Sequence, residues 1–139
     1  MSNTFTNQKK ALERVLLKLP VLIAEISKNA FKDNFKKNNQ GFFGKKWKTV
    51  LRKDPKSKWY KGKKQADKPI LSMNGHLKKS IRVDSVGQGK MLIVSDLEYS
   101  AKHNEGQKGK LAKRQFIGEH EKLNKACMLE ISDNLKKVL

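Results

Sequence analysis

The side chains able to perform acid–base or metal chemistry are few in this chain and far apart. Its three histidines, His76, His103 and His120, fall in different predicted elements, and no two have the spacing that places metal ligands on one helical face. His103 and Glu105 are close in sequence, but general acid–base catalysis needs further positioned partners, and the sequence supplies none. We therefore expect no metal, no cofactor and no enzymatic activity.

Nucleophilic and phosphate-binding chemistry lack their usual patterns as well. The single cysteine, Cys127, falls in an apolar helical stripe without a cationic neighbour, which predicts a buried thiol in a reducing compartment. Gly41, Gly44 and Gly62 lack the spacing, and the following Lys-Ser/Thr pair, of a phosphate-binding loop. Binding or assembly is therefore favoured over catalysis.

Positive charge is the dominant feature of the composition, with 32 basic and 13 acidic residues and a net charge of +19. Residues 45–68 alone hold 11 basic and 2 acidic residues, nearly half of that excess. Such a local field attracts DNA, RNA or an acidic protein face, although a solvated lysine-rich surface is the alternative. Only four basic residues are arginine, the better reader of base edges, so sequence-specific recognition is not expected.

Ten basic residues form the candidate surface that faces DNA in a channel or a partner protein. They are Lys45, Lys46, Lys48, Arg52, Lys53, Lys56, Lys58, Lys61, Lys63 and Lys64. Trp59 and Tyr60 lie among them and are suited to stack on bases, as in single-strand binders, or to pack against a neighbouring subunit. Of these two interpretations we favour the subunit contact.

Apolar periodicity predicts helices at both ends of the chain. Between Phe5 and Phe35 apolar residues recur every three or four positions, which predicts an amphipathic helix that breaks at Pro20 and then runs to about Asn38. Residues 119–139 repeat the pattern, and their acidic first turn and basic last turn suit the helix dipole. Val15 to Ala24 is too short and too polar to span a membrane, and no secretory signal is expected.

The central part of the chain predicts strands and loops. Trp47 is expected to anchor the core from a short helical turn that includes Leu51, and residues 52–69 read as a long loop. Residues 81–94 give a hairpin signal around Gly87-Gln88-Gly89, residues 97–103 a second apolar–polar unit, and residues 114–118 a short strand. These elements predict one α+β domain over residues 1–139, with a small antiparallel sheet packed against the two terminal helices and a long basic loop.

The order of several short motifs resembles the virion-morphogenesis and tail-completion proteins of tailed bacteriophages. Residues 70–81 (ILSMNGHLKKSI) are similar to that family's L-x-x-[ST]-G-x-L-x-x-S-I, with Asn74 in place of Ser or Thr. Residues 94–106 resemble V-G-[ST] followed by Y-A-x-x-H-x-x-G, with Ser95 in place of glycine and Ser100-Ala101 after the tyrosine. Residues 113–118 (KRQFIG) resemble P-x-R-x-F-[LI]-G before a closing helix, and Trp47 follows a glycine beyond the first helix.

The motif residues themselves have recognisable roles in a fold. Glycines permit turns, large apolar residues fill a core, and Arg114 can hold a loop carboxylate or carbonyl. The positions concerned are Trp47, Gly75, Leu77, Ile81, Tyr99, His103, Gly106, Arg114, Phe116 and Gly118.

The resemblance implies a structural virion protein that completes the tail or joins tail to head. It would act as a ring subunit around the DNA channel, in contact with copies of itself, with the head connector, with tail tube or terminator proteins, and with passing DNA. Its location would be the neck or tail of the virion, and the host cytoplasm during assembly, without a membrane. The alternative from charge alone is a free basic protein that binds nucleic acid without sequence specificity.

Overall fold

The chain folds as a mixed α+β protein, as the sequence predicts. A computed structural model describes residues 2–36, 41–72, 74–87 and 90–139. The helices are α1 (Ser2–Asp33), α2 (Lys63–Ala66), α3 (His76–Ser80), α4 (Ser100–Glu105) and α5 (Glu121–Lys136), with a 3₁₀ turn at Leu51–Lys53. The strands pair as two separate two-stranded antiparallel sheets, β1 (Gly41–Phe42) with β2 (Lys45–Lys46) and β3 (Ile81–Gly87) with β4 (Lys90–Ser95).

The first helix does not break at Pro20, so that part of the prediction is wrong. Helix α1 continues for 13 residues beyond the proline and ends at Asp33, while Asn38, where the end was expected, lies outside the described residues. An interior proline removes one backbone hydrogen bond and costs about 3 kcal/mol. A continuous helix keeps Leu19, before Pro20, and Ala24, after it, buried at the same time. The free energy gained by burying both side chains offsets the cost of the proline.

The chain divides into two compact units. The first, which we call the helical unit, comprises Met1–Asn29, Val83–Ile93 and Glu119–Leu139. The second, which we call the basic unit, comprises Ala30–Arg82 and Val94–Gly118. The end of α1 and the base of the β3–β4 hairpin belong to the basic unit, and most of both elements belongs to the helical unit.

An aromatic cluster forms the core of the basic unit. The rings of Phe35 and Trp47 meet edge to face with centroids 5.5 Å apart, and those of Phe35 and Phe116 lie 5.3 Å apart. The indole Nε1 of Trp47 donates to the carbonyl oxygen of Gln115 at 2.7 Å, so the buried polar atom is satisfied. The prediction that Trp47 anchors the core is confirmed.

Residues 114–118 do not form a strand, so the short strand predicted there is wrong. The segment pairs with no neighbouring strand in the described chain, and side chains take that role instead. The amides of Phe116 and Ile117 donate to Oδ1 of Asn104 at 2.8 and 3.0 Å, and the Phe116 carbonyl accepts from Nδ2 of Asn34 at 3.1 Å. Buried backbone groups must be paired, and two asparagines pair these.

The remaining predictions divide between confirmed and wrong. The hairpin is confirmed, although Gln88 and Gly89 of its turn lie outside the described residues. Helix α5 confirms the terminal helix, but Cys127 on it is only half-buried. The apolar–polar unit predicted at residues 97–103 is helical from Ser100 onward, as α4. The long loop predicted at residues 52–69 contains α2. The helical turn predicted from Trp47 to Leu51 is instead the 3₁₀ turn that begins at Leu51. Short helices of this kind carry too few residues to show a period in sequence.

We expect Trp47→Ala to lower the free energy of unfolding by about 3 to 5 kcal/mol, because it empties a buried aromatic site and removes a buried hydrogen bond. Trp59 is 55 % exposed against 8 % for Trp47, so Trp59→Ala is the matched control and should cost far less. Chemical denaturation followed by circular dichroism measures both. An equal or larger loss for the Trp59 variant would contradict the packing described.

Candidate polyanion-binding surface

Most of the predicted basic residues are available to a ligand. Eight of the ten are exposed: Lys45, Lys46, Lys48, Lys56, Lys58, Lys61, Lys63 and Lys64. Exposed lysines present mobile ammonium groups, which suit phosphate oxygens met in many positions rather than one fixed geometry. These eight residues therefore remain candidates for such a surface.

Arg52 and Lys53 instead hold the basic segment together. The Arg52 guanidinium donates to the carbonyl oxygens of Pro69 at 2.8 Å and of Gln65 and Lys68 at 3.4 Å. Lys53 Nζ donates to the Ala66 carbonyl oxygen at 2.6 Å. Burial lowers the pKa of Arg52, but an arginine remains charged at any physiological pH. Arg52 and Lys53 thus join the start of the loop at residues 52–53 to its end at residues 65–69.

Of the two aromatic residues in this segment, Trp59 is exposed and Tyr60 is half-buried. Trp59 is 55 % exposed, and Lys58 Nζ lies 5.4 Å from the centre of its ring. This cation–π contact at an exposed site stabilises by about 0.5 to 1 kcal/mol and holds the lysine beside the indole. An exposed indole beside a cation can stack on a base next to a phosphate, or insert into a partner protein.

A second lysine-rich segment lies against the first. Residues 105–113 and Lys48 line one open concavity of about 590 Å³, which also contains Lys108, Lys110 and Lys113. Glu105 is the single acidic residue of that lining. Lys113 also lines a smaller concavity of about 200 Å³ with Lys45 and Lys46. The two segments therefore form one basic surface, and the second segment was not among the residues predicted for it.

Gly106 fixes the position of that second loop. Its φ of +77° lies in the left-handed region, and a Cβ there would come within 2.8 Å of the Lys113 backbone nitrogen. The absent side chain lets the two ends of the loop approach closely, and Gln107 and Leu111 exchange backbone hydrogen bonds of 2.8 and 2.9 Å across it. The close approach of the loop ends thus explains why residue 106 of the motif is a glycine.

The apolar motif positions divide between buried and exposed side chains. Leu77, Ile81 and Phe116 are buried, as expected. Tyr99 is 42 % exposed, so its assignment to a core was wrong: it caps the short helix α4, and its ring meets that of His103 edge to face. Gly75, with φ of +71°, is the N-cap of α3.

Arg114 performs the predicted anchoring of a loop carbonyl. Its guanidinium donates to the carbonyl oxygens of Lys48 at 2.9 Å and Thr49 at 3.3 Å, and its side chain is buried. The buried cation therefore positions the backbone that carries Lys48 into the concavity. Burial lowers the pKa of Arg114, and the residue still stays protonated. Gly118 adjoins Gln115 and Phe42, which leaves little room for a side chain.

The three histidines lie in two places. His76, His103 and Tyr99 line a cavity of about 260 Å³, and His120 caps helix α5. Glu105 lines the lysine-rich concavity instead. Burial, with the Arg114 charge as a second cause, lowers the pKa of His103. The lowered pKa favours the neutral imidazole. The backbone oxygen of His103 accepts from the Arg114 amide at 2.8 Å, which joins α4 to the 114–118 segment.

Two asparagines that the sequence did not single out are central to this region. Asn34 is 1 % exposed and also accepts from the Phe43 amide at 2.9 Å, while Asn104 holds the amides of residues 116 and 117. Asparagine is common at helix ends and in turns, so neither residue stands out in the sequence. Within the described residues no group of three potential metal ligands occurs, and no helix there is long and apolar enough to cross a membrane.

Charge and exposed apolar surface are distributed unequally between the two units. The basic unit holds 22 basic and 6 acidic residues, and the helical unit 10 and 7. Large apolar side chains are nevertheless exposed across the helical unit. They include Phe5, Leu16, Leu17, Val21, Leu22, Val86, Met91, Leu92, Met128 and Leu129. Only Leu19, Ala24, Ser27 and Leu123 are buried among the described residues of that unit. It therefore presents a surface typical of protein contacts.

We expect Arg52→Gln to destabilise the basic unit by about 1 to 3 kcal/mol, because it removes a charged donor from three carbonyl oxygens. Lys56→Gln, an exposed change in the same segment that removes the same charge, should stay within about 0.5 kcal/mol of the parent. Thermal unfolding of the two variants compares them directly. If both unfold like the parent, Arg52 does not hold the loop.

Comparison with known proteins gives no relative to set beside these observations. No family model, curated protein or solved structure matches the chain. A proposal for its function therefore depends on the motifs of the sequence and on the surfaces described.

Proposed function

We propose that the chain is a structural protein of a tailed-phage virion that completes the tail or joins tail to head as a ring subunit around the DNA channel. The observation that carries the proposal is the separation of surface types: lysines gather on the basic unit, and exposed apolar side chains gather on the helical unit. A ring subunit around DNA needs both, since it must contact proteins stably and tolerate a polyanion nearby.

The basic unit suits DNA of any sequence. Eight exposed lysines of the first segment and the lysines of residues 108–113 present charge without arginine forks, and Arg52 and Arg114 are engaged with backbone carbonyls. Phosphate contacts of this kind give weak, salt-dependent and sequence-independent binding. Such binding allows DNA to pass through a channel rather than remain fixed in it.

The helical unit suits contacts between subunits. Leu17 is 78 % exposed and Phe5 is 72 % exposed, and neither contributes to the packing of its own helix in this state. Apolar residues that remain exposed in number usually mark interaction sites. Copies of the chain, the head connector and tail tube or terminator proteins are the partners proposed.

The motif resemblance adds support from a different direction. Its residues connect parts of the basic unit that are far apart in sequence: Arg114 donates to the carbonyl oxygens of residues 48 and 49, and Trp47 donates to that of residue 115. These contacts are consistent with motifs that maintain a fold. The order of the motifs resembles that of neck and tail-completion proteins.

A free, nonspecific nucleic-acid-binding protein is the second candidate. The lysine-lined concavity and the exposed indole of Trp59 favour it. This function would leave the exposed apolar residues of the helical unit without a role, and they would instead promote aggregation. For this reason we place assembly first.

Two sets of variants distinguish the candidates. Leu17→Gln with Val21→Gln alters exposed apolar positions, and Lys108→Gln, Lys110→Gln and Lys113→Gln alter the concavity. In a cognate phage that lacks its own copy of the gene, we expect the first set to block head–tail joining while DNA affinity stays unchanged. The lysine set should lower the slope of the logarithm of the DNA-binding constant against the logarithm of salt concentration. The expected decrease is that of about three lost phosphate contacts.

Circular dichroism of each variant confirms that it is folded before either assay. Loss of phage production in proportion to DNA affinity, with the Leu17 and Val21 changes tolerated, would favour the nucleic-acid-binding protein. Tight, sequence-selective binding that survives high salt would contradict both the ring subunit and the nonspecific binder.

A further inference from the structure

Helix α5 carries a second stripe of residues, on the side opposite the stripe that packs inward. The inward stripe consists of Leu123, which is buried, and of the half-buried Cys127, Ile131 and Leu135, and it continues to the half-buried Val138 just beyond the helix. The outward stripe recurs at helical spacing as Glu121, Lys125, Met128, Leu129, Ser132 and Lys136. In its middle, Met128 and Leu129 are 66 % and 65 % exposed.

The outward stripe is self-complementary about its centre. Helix α5 spans residues 121 to 136, so its midpoint falls between Met128 and Leu129. In two such helices packed antiparallel about a two-fold axis at that midpoint, Met128 of one helix lies level with Leu129 of the other. Glu121 then lies level with Lys136 of the second helix, at both ends of the pair.

The charges in this region suit a second copy of the same chain. The whole chain carries +19, so most contacts between copies would be repulsive. Residues 119–139 are balanced, with four basic and four acidic residues. Glu121 already pairs with Lys125 at 2.9 Å, and both side chains are more than 70 % exposed, so the carboxylate remains open to a further cation.

We propose that two copies of the chain associate through their α5 helices, antiparallel and about a two-fold axis, with Met128 and Leu129 at the centre and Glu121–Lys136 pairs at each end. Two facing helices of this length bury less than a standard interface, so the dimer is weak and appears as protein concentration rises. An isologous contact cannot close a ring by itself. The pair is therefore a form of the free subunit or a link between two rings, and it does not rest on the proposed function.

Charge exchange across the helix pair tests the geometry. Glu121→Lys alone and Lys136→Glu alone each replace two attractive pairs with two repulsive ones, and we expect each to weaken dimerisation by about tenfold. The double variant Glu121→Lys with Lys136→Glu restores opposite charges at both ends and should recover the parent affinity. An equimolar mixture of the two single variants should likewise form heterodimers. Sedimentation velocity over a concentration series measures each affinity.

Two further variants guard the interpretation. Lys137→Glu changes an exposed charge at the same end of α5 but off the outward stripe, and it should leave the affinity near that of the parent. Met128→Gln with Leu129→Gln should abolish the dimer without loss of helix by circular dichroism, since both residues are exposed in the single chain. A strict monomer, or an oligomer that the single charge changes leave intact, overturns the proposal. So does failure of the double variant to recover when it is folded.

Discussion

The basic unit depends on how hydrogen bonds are supplied to residues 114–118, a segment that pairs with no strand among the described residues. Residues 114–118 carry the buried side chains of Arg114 and Phe116. Asn34 and Asn104 supply the hydrogen bonds that a sheet would otherwise provide. Trp47 and Arg114 then bond the same segment to residues 47–49, where the basic segment begins. The packing of this short segment therefore positions the start of the basic segment, while Arg52 and Lys53 join the rest of it.

Periodic and turn signals in the sequence were sufficient for the terminal helices, the β3–β4 hairpin and the buried Trp47. They failed where tertiary contacts outweigh local preference. Pro20 predicts a break, but the packing of the residues around it keeps α1 continuous. The pattern at residues 114–118 alternates like a strand, yet its hydrogen bonds go to side chains far away in sequence. Partners of this kind cannot be recognised from a residue's neighbours.

The candidate surface was predicted in part for a similar reason. Charge density alone identified the ten basic residues, and it could not separate Arg52 and Lys53, which bond to carbonyl oxygens, from the eight exposed lysines. Nor could it join residues 108–113 to Lys48, because their proximity arises from Gly106 and Arg114. The exposed lysines therefore belong to a unit whose backbone is held by arginine and asparagine side chains, while most exposed apolar side chains lie on the helical unit.

Negative-stain imaging of the purified chain, alone and with cognate tail components, tests the proposed assembly most directly. A ring subunit predicts closed particles of one copy number with an open centre, formed alone or on addition of a tail partner. Dimers formed through α5 would appear as small particles without a central opening, and their presence would neither support nor contradict a ring. Particles no larger than such dimers at every concentration, with tail components and DNA present, would contradict the proposal of a ring around the DNA channel.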